Sequence, residues 1–378
     1  MNIQDSSGDP PQGALQVGAP LNQRIQLIDF EKLLNRDPNK LDTKLIEDFI
    51  FGKKVCVSGG GGSIGSELVR QIAAMGAELL LIERNENGLA DIENEINHEF
   101  PDVSLVGLVA DITNKKEINS IFSDHKPEVV FHAAAHKHVN LMERSPWQAI
   151  QNNVIGTRNL AEASNSIGAN NFILISTDKA VNPSSVMGAT KKLAEMLILG
   201  MDTVSVTNFD IVRFGNVIGS NGSVALIFKN QIAKGGPLTL TDPKMERYFM
   251  TIPEAAELTL QASSIGNGGE IFVLDMGEPI LIKTLAEKMI RQCLLEPYKD
   301  IDIAIIGAKP GEKLSEILTG RDEILENTQY SKIQKIISTK APKSELKQLQ
   351  ELLSNLSFED HGNIKSILGD LIPEYNPS

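Results

Sequence analysis

A run of glycines sits where an apolar stretch gives way to a helical pattern, and that junction constrains the fold more than any other feature. Lys54 to Ser58 reads as a strand, the loop Gly59 to Ser63 follows, and a helix is expected from about Ile64 to Met75. Within Ser58-Gly59-Gly60-Gly61-Gly62-Ser63-Ile64-Gly65, the residues Gly59, Gly62 and Gly65 have the spacing G-x-x-G-x-x-G. Between a strand and a helix, such glycines read as the turn of a dinucleotide-binding unit. Gly59 permits the tight turn, Gly62 lets the backbone approach a pyrophosphate, and Gly65 lets helix and strand pack closely. The helix N-terminus at Ser63 and Ile64 favours the anion.

Further strands are expected at Glu78 to Glu83, Val103 to Val109, Glu128 to Ala133, Asn171 to Ser176, Asp210 to Phe214 and Glu270 to Leu274, with helical stretches between the earlier ones. This alternation predicts an α/β chain: a Rossmann-type, doubly wound parallel sheet with a smaller, mostly C-terminal substrate-binding region. Glu83 closes the second strand, where a carboxylate accepts hydrogen bonds from the adenosine ribose hydroxyls and repels a 2′-phosphate. That favours NAD over NADP, although Arg84 beside it pulls the other way. Asp111 is a candidate adenine contact, and Ala133-Ala134-Ala135 supplies the small residues needed where backbone lies against a flat cofactor. Ile112 and Asn153 complete the candidate cofactor set.

The chain divides into a disordered N-terminus (1–25), a helical arm (26–52) with a turn at Asp37-Pro38-Asn39, and a nucleotide-binding domain (53–215) with return elements near 252–276. Segments 216–251 and 277–340 form the substrate region, and 341–378 a helical tail. In the tail Leu346, Leu349, Leu352 and Leu353 recur at helical spacing and predict packing on the domain or on a partner. With 41% hydrophobic and 22% charged residues, the whole has enough apolar material for a large core.

A net charge of −13 argues against nucleic acid, which demands a basic face. No apolar run approaches the ~18 residues of a membrane helix, and the signal-peptide layout is missing, so a cytoplasmic location is expected. Cys56 and Cys293 are too few for a disulfide framework and read as buried thiols. His132, His136 and His138 lack metal-site spacing, and no metal is expected.

The densest chemistry lies between Ser176 and Lys191, where Ser176-Thr177-Asp178-Lys179 is followed by a turn at Pro183 and a helix that puts Met187 and Lys191 on one face. Asp178 and Lys179 can serve one substrate only if the strand ends there, because strand neighbours point to opposite faces.

Four segments carry a resemblance: Gly61-Gly62-Ser63-Ile64-Gly65-Ser66-Glu67, His132-Ala133-Ala134-Ala135-His136-Lys137-His138-Val139, Ser176-Thr177-Asp178-Lys179 and Lys309-Pro310-Gly311-Glu312-Lys313. Together they resemble the extended short-chain dehydrogenase/reductases, and within them the polysaccharide-biosynthesis UDP-N-acetylglucosamine 4,6-dehydratases. The likeness runs from Leu27 to Ile372-Pro373-Glu374-Tyr375. Most of that superfamily has Tyr-x-x-x-Lys, whereas this chain has Met187-x-x-x-Lys191. It is similar in this to a branch that keeps the configuration at sugar carbon 5. Many members of that branch carry an N-terminal membrane region, so the chain looks like the soluble catalytic part.

The resemblance implies NAD-dependent oxidation at sugar carbon 4, loss of water across carbons 5 and 6, and return of the hydride to carbon 6. In that scheme Lys179 is the candidate base for the carbon-5 proton and Asp178 the acid for the 6-hydroxyl. Lys191 binds the nicotinamide ribose, Thr177 or Ser176 binds the reacting hydroxyl, and Met187 packs beside the nicotinamide. Burial, Lys191 and an oxidised nicotinamide would each disfavour charge on Lys179. His136 and Lys137 are candidates for the cofactor or substrate loop. Asn216 and Arg247 resemble nucleotide-sugar contacts, since arginine grips a diphosphate through two parallel hydrogen bonds. Lys229, Lys309 and Glu312 are further substrate candidates, and Lys313 and Arg321 further sources of local positive charge. The superfamily also implies a homodimer or higher homo-oligomer. Two rival readings remain at this stage: a nucleotide-sugar 4-epimerase, which needs no carbon-5 base, and a non-catalytic NAD-binding regulatory protein, conceivable without the tyrosine.

Overall fold

The computed structural model describes residues 20–26, 28–34, 36, 39–337 and 343–377. Most of the expected disordered N-terminus lies outside the described residues, as do Leu27 and Asp37-Pro38 of the arm.

Nine strands form one sheet: β1 Lys54–Ser58, β2 Glu78–Glu83, β3 Leu105–Val109, β4 Val129–His132, β5 Asn171–Thr177, β6 Asn208–Phe214, β7 Ile271–Leu274, β8 Ile324–Asn327 and β9 Ile333–Ile337. Their order across the sheet is β3-β2-β1-β4-β5-β6-β7-β9-β8. The first seven are parallel, and β9 and β8 close the sheet as an antiparallel hairpin. β1 pairs with both β2 and β4, so the winding reverses there and leaves a crevice beyond the strands' carboxyl ends.

Strand continuity follows from burial on both faces. Phe172 and Leu174 of β5 join one core cluster and Ile173 between them joins the other, the alternation a pleated strand imposes. Helix α1 (Ser63–Ala74) starts at the glycine loop and packs on α3 (Ile252–Ile265). Helix α2 (Val186–Asp202) starts where the Ser185 hydroxyl accepts from Gly188 N at 3.1 Å, one of the donors the first turn leaves open. It is buried along most of its length because the tail helices α4 (Lys343–Asn355) and α5 (Ile364–Leu371) cover the face turned from the sheet. Leu346 packs against Gly200, where a Cβ would approach its Cδ1 to 2.9 Å. Of the two packings expected for the tail, the one on its own domain is observed.

A third core cluster unites Phe228, Leu238, Leu285 and Met289 of the substrate region with Ile28 and Leu33 of the arm and with Ile25, whose helix, Leu21–Gln26, starts within the stretch 1–25 expected to be disordered and is ordered by burying that side chain. The observed packing departs from the sequence division in one respect: β8 and β9, inside segment 277–340, complete the nucleotide-binding sheet. β8 is exposed at every residue, so it lacks the apolar pattern that marks the inner strands. No helix among the described residues is long and apolar enough to cross a membrane.

Candidate active site

The glycine loop is shaped by close approaches. Gly59 has φ 75°, and a Cβ there would stand 2.7 Å from Ala134 N. At Gly65 a Cβ would collide with the Gly59 carbonyl. A Cβ at Gly62 would meet only Gly59 O, at 3.1 Å, within the cleft that Gly62 helps to line. That cleft encloses about 200 Å³ between the loop, Glu83, Arg84, Asp111, Ile112 and the Ala133-Ala134-Ala135 segment. Glu83 accepts from Gly61 N at 3.1 Å and Asn85 N at 2.8 Å, which fixes its carboxylate on the rim. Arg84 is drawn to Asp111 at 3.6 Å. Ser63 accepts at its hydroxyl from Asn221 N at 3.0 Å, tying the loop to the substrate region.

Asn153 holds the other wall. Its amide accepts from His136 N at 2.8 Å and donates to His136 O at 3.1 Å and to the Thr190 hydroxyl at 3.1 Å. It lies in a π-helical turn, Gln151–Gly156, a distortion frequent at functional sites. His136 lines the cleft, and Lys137 is exposed beside it. His132, at the end of β4, sits between the Ser58 hydroxyl at 2.7 Å and the Thr157 hydroxyl at 2.8 Å. Burial first, and the Lys191 charge second, pull its pKa down to about 3, so it is a neutral spacer at physiological pH.

β5 ends at Thr177, and Asp178–Ala180 forms a 3₁₀ turn. The condition set by the sequence is therefore met. Lys179 Nζ donates to Asp178 Oδ1 at 2.9 Å and to Asn216 Oδ1 at 3.0 Å. The Thr177 hydroxyl also donates to Asp178 Oδ1, at 2.9 Å. Asp178 is 0% exposed, and its Oδ2, beneath Gly215, has no hydrogen-bond partner among the described residues. An unpaired buried carboxylate oxygen is costly, and a proton or a substrate hydroxyl would relieve that cost.

Lys191 Nζ donates to Ile175 O at 2.7 Å, at the carboxyl end of β5. Burial lowers its pKa to about 8, with Glu195 partly opposing the shift. Met187 is buried in the core one turn earlier.

Not every candidate converges. The Ser176 hydroxyl donates to Glu195 at 2.6 Å and faces the opposite side of the sheet, so it is not beside the Asp178–Lys179 pair. Arg247 is already engaged: its guanidinium donates to the carbonyls of Glu246, Lys313 and Leu314 at 2.7, 2.7 and 3.0 Å. As placed, it anchors the 309–316 loop. Lys313 Nζ donates to Val181 O and Asn182 O, at 3.1 and 2.8 Å, and fastens that loop to the segment that follows the Asp178–Ala180 turn. Lys309 and Glu312 bond to each other through their backbones and the Glu312 carboxylate, within a local turn. Lys229 lies on the helix Val224–Ala233, near enough to Cys293 for its charge to act on that thiol. Arg321 is exposed.

Glu316 is the residue that sequence reasoning missed. It is buried, with Oε1 3.9 Å from Lys179 Nζ and Oε2 3.7 Å from Lys313 Nζ. Its neighbours in sequence give no signal, because only loop closure brings it to the turn. Arg213 was also passed over, although an arginine within the apolar run Asp210 to Phe214 implies a buried acid. It donates to Glu195 at 2.8 Å and to Glu323 at 2.8 Å. Among the described residues no group of acids, histidines and cysteines is arranged to hold a metal.

The family model for polysaccharide biosynthesis proteins matches residues 55–338. The chain belongs to that family. The capsular polysaccharide biosynthesis protein CapD of Staphylococcus aureus is 45% identical over 89% of this chain and 56% of its own length. The probable polysaccharide biosynthesis protein EpsC of Bacillus subtilis is 48% identical over 84% of this chain and 53% of its own. The chain thus spans about half the length of these two relatives. Among solved structures, Pen from Bacillus thuringiensis superposes with a TM-score of 0.72 at 32% identity, covering 82% of this chain and 100% of Pen. Two relatives with named reactions also align, each over 72% of this chain and 79% of its own length. They are a UDP-glucose 4-epimerase of Rickettsia rickettsii (34%) and an inverting UDP-N-acetylglucosamine 4,6-dehydratase of Campylobacter jejuni (30%).

Proposed function

We propose that the chain is a NAD-dependent UDP-N-acetylglucosamine 4,6-dehydratase. It would form the UDP-2-acetamido-2,6-dideoxy-4-keto-hexose that retains the configuration at carbon 5, for bacterial glycan or amino-sugar biosynthesis. The observation that carries this reading is the Asp178–Lys179 hydrogen bond at the end of β5, with one buried carboxylate oxygen left without a partner among the described residues. An acid and an amine side by side are what a 5,6-elimination requires.

The cofactor cradle fits NAD. The glycine loop leaves room for a pyrophosphate, the Glu83 carboxylate lines the rim where it can accept from ribose hydroxyls, and Asp111 engages the Arg84 charge that a 2′-phosphate would want. When bound, NAD supplies the transient oxidation of carbon 4 that acidifies the carbon-5 proton. Lys191, beside the ends of β4 and β5, orients the nicotinamide ribose, and Met187 fills the space that a catalytic tyrosine would occupy. Thr177 holds Asp178 Oδ1 and is the better placed of the two hydroxyl candidates for the substrate. Lys179 takes the carbon-5 proton, and Asp178 gives one to the departing 6-hydroxyl. The Met187-x-x-x-Lys191 pattern supports the retaining outcome.

Incubation with UDP-N-acetylglucosamine tests this reading. A product lighter by one water, with the xylo configuration by NMR, is expected. An isomer of unchanged mass would instead establish the epimerase reading that the Rickettsia relative favours.

A further inference from the structure

We infer that Glu143 is a positioning residue for the reaction: its carboxylate seats the first turn of α2, and through that helix it places Lys191 and the backbone of Lys179. For Lys179 the inference rests on the dehydratase reading above; for Lys191 it holds for any hydride step at carbon 4. Glu143 belongs to the short helix Val139–Arg144, just beyond His136 and Lys137 of the cleft wall, and its side chain is 10% exposed. Its Oε1 accepts at 2.6 Å from the N–H of Val186, the first residue of α2. A helix leaves its first N–H groups open and carries partial positive charge there, so a carboxylate is favoured at that end. The other oxygen accepts from Lys365 Nζ of the tail helix α5 at 2.6 Å. The phenol of Tyr375 lies near enough to feel the same charge: burial first, and Glu143 second, push its pKa up to about 12. One carboxylate thus joins the cleft wall, α2 and the C-terminal tail.

The segment between the catalytic pair and α2 needs such a tie. Residues 181–185 form neither helix nor strand, and Asn182 takes φ 41°, in the left-handed region. A stretch of this kind rests where its outside contacts hold it. Lys313 holds the carbonyls of Val181 and Asn182, and Asn376 N donates to Pro183 O at 3.0 Å. The Ser185 cap is internal to α2, because its hydroxyl accepts from Gly188 N, so it starts the helix without anchoring it. Glu143 anchors it. The position of α2 then reaches the site at two points. A Cβ at Gly188 would collide with Lys179 O, so helix and catalytic turn touch with no clearance. Farther along, Lys191 Nζ donates to Ile175 O at 2.7 Å. In close-packed surroundings a small displacement of the helix is passed to both lysines.

Glu143→Leu, Glu143→Gln and Lys365→Met test the assignment, each measured for Tm and, at saturating NAD, for kcat per folded molecule and KM for UDP-N-acetylglucosamine. E143L takes the acceptor away from Val186 N, and its kcat should fall about 100-fold, the scale for a misplaced reacting group, with KM nearly unchanged. E143Q keeps an acceptor oxygen and K365M keeps the carboxylate. Both lose the ion pair and some Tm, yet both should stay within about fivefold of the wild-type kcat. A carboxylate that serves stability alone would lower Tm in all three variants and leave kcat per folded molecule intact, and that result would overturn the inference. So would an E143L with raised KM and wild-type kcat, which marks a binding contact, or an E143Q as slow as E143L, which rules out the acceptor. The wild-type product decides the reaction reading separately. An epimer overturns that reading, and the ratio of E143L to E143Q still decides the inference, because Lys191 serves the hydride step of either reaction.

Discussion

Ser176 and Thr177 are neighbours on β5, yet their side chains enter two buried ionic networks of opposite character. On the Ser176 side, Arg213 binds both oxygens of Glu195 and both of Glu323, Ser176 adds a bond to Glu195, and Gly320 N adds one to Glu323. None of these groups is left without a partner. Burial alone would lower the Arg213 pKa, but Glu195 and Glu323 outweigh it and hold the guanidinium above its ordinary range. On the Thr177 side, Asp178 Oδ2 and Glu316 Oε2 are both buried without hydrogen-bond partners among the described residues. A closed network fixes the position of β6 against α2, whereas an open one keeps acceptors in reserve for a reaction.

Substitution should separate the two networks, and Lys179→Ala is expected to have the largest effect. Turnover should fall by at least ~10³-fold, with solvent deuterium incorporation at carbon 5 abolished and Tm close to wild type. Normal exchange at carbon 5 would remove Lys179 as the base. Arg213→Met should do the reverse. It removes the guanidinium that both Glu195 and Glu323 bind and leaves Glu323 only Lys192, at 3.9 Å, so stability should drop by about 3–5 kcal/mol in denaturant titrations. Molecules that remain folded should keep their kcat. A variant that stays stable but loses kcat would show that the closed network is catalytic after all.

How much of this was legible follows from which forces act locally. The glycine turn, Glu83 and the ends of β1 and β2 were readable because a strand–loop–helix junction is specified by adjacent residues. Asp178, Lys179 and Lys191 were readable as a compact segment. Glu316 and Arg247 were not, since their roles depend on where a long loop closes. The resemblance implies a nucleotide-sugar contact for Arg247, and in the structure three backbone carbonyls accept from its guanidinium. Ser176 was indistinguishable from Thr177 until the strand fixed which face each one takes.

Lys191 links the two networks, because it shares α2 with Glu195 one turn away. Its folded pKa, about 8, lies below the 10.5 of an ordinary lysine. Between those values the unfolded chain binds more protons, so this group makes stability rise with pH across that window. At pH 7 its buried charge costs on the order of 3 kcal/mol. Lys191→Met should therefore raise Tm at neutral pH and flatten the gain between pH 8 and 10.5, while turnover is lost. A lower Tm at pH 7 would show that the bond to Ile175 O outweighs the burial of the charge.

The smallest effects sharpen the contrast most, because they come from adjacent hydroxyls. Ser176→Ala removes a hydrogen bond to a charged, buried carboxylate and should cost about 1–2 kcal/mol of stability with kcat unchanged. Thr177→Ala removes the hydroxyl that holds Asp178 Oδ1, and it should lower kcat about tenfold with Tm nearly constant. Thermal unfolding and initial rates on the two variants form a crossed design. If the variants instead lose stability and rate in equal measure, the sheet does not partition structure from chemistry at this strand. In that case the orphaned carboxylate oxygens are features of packing, and the proton chemistry has to be sought elsewhere along the cleft.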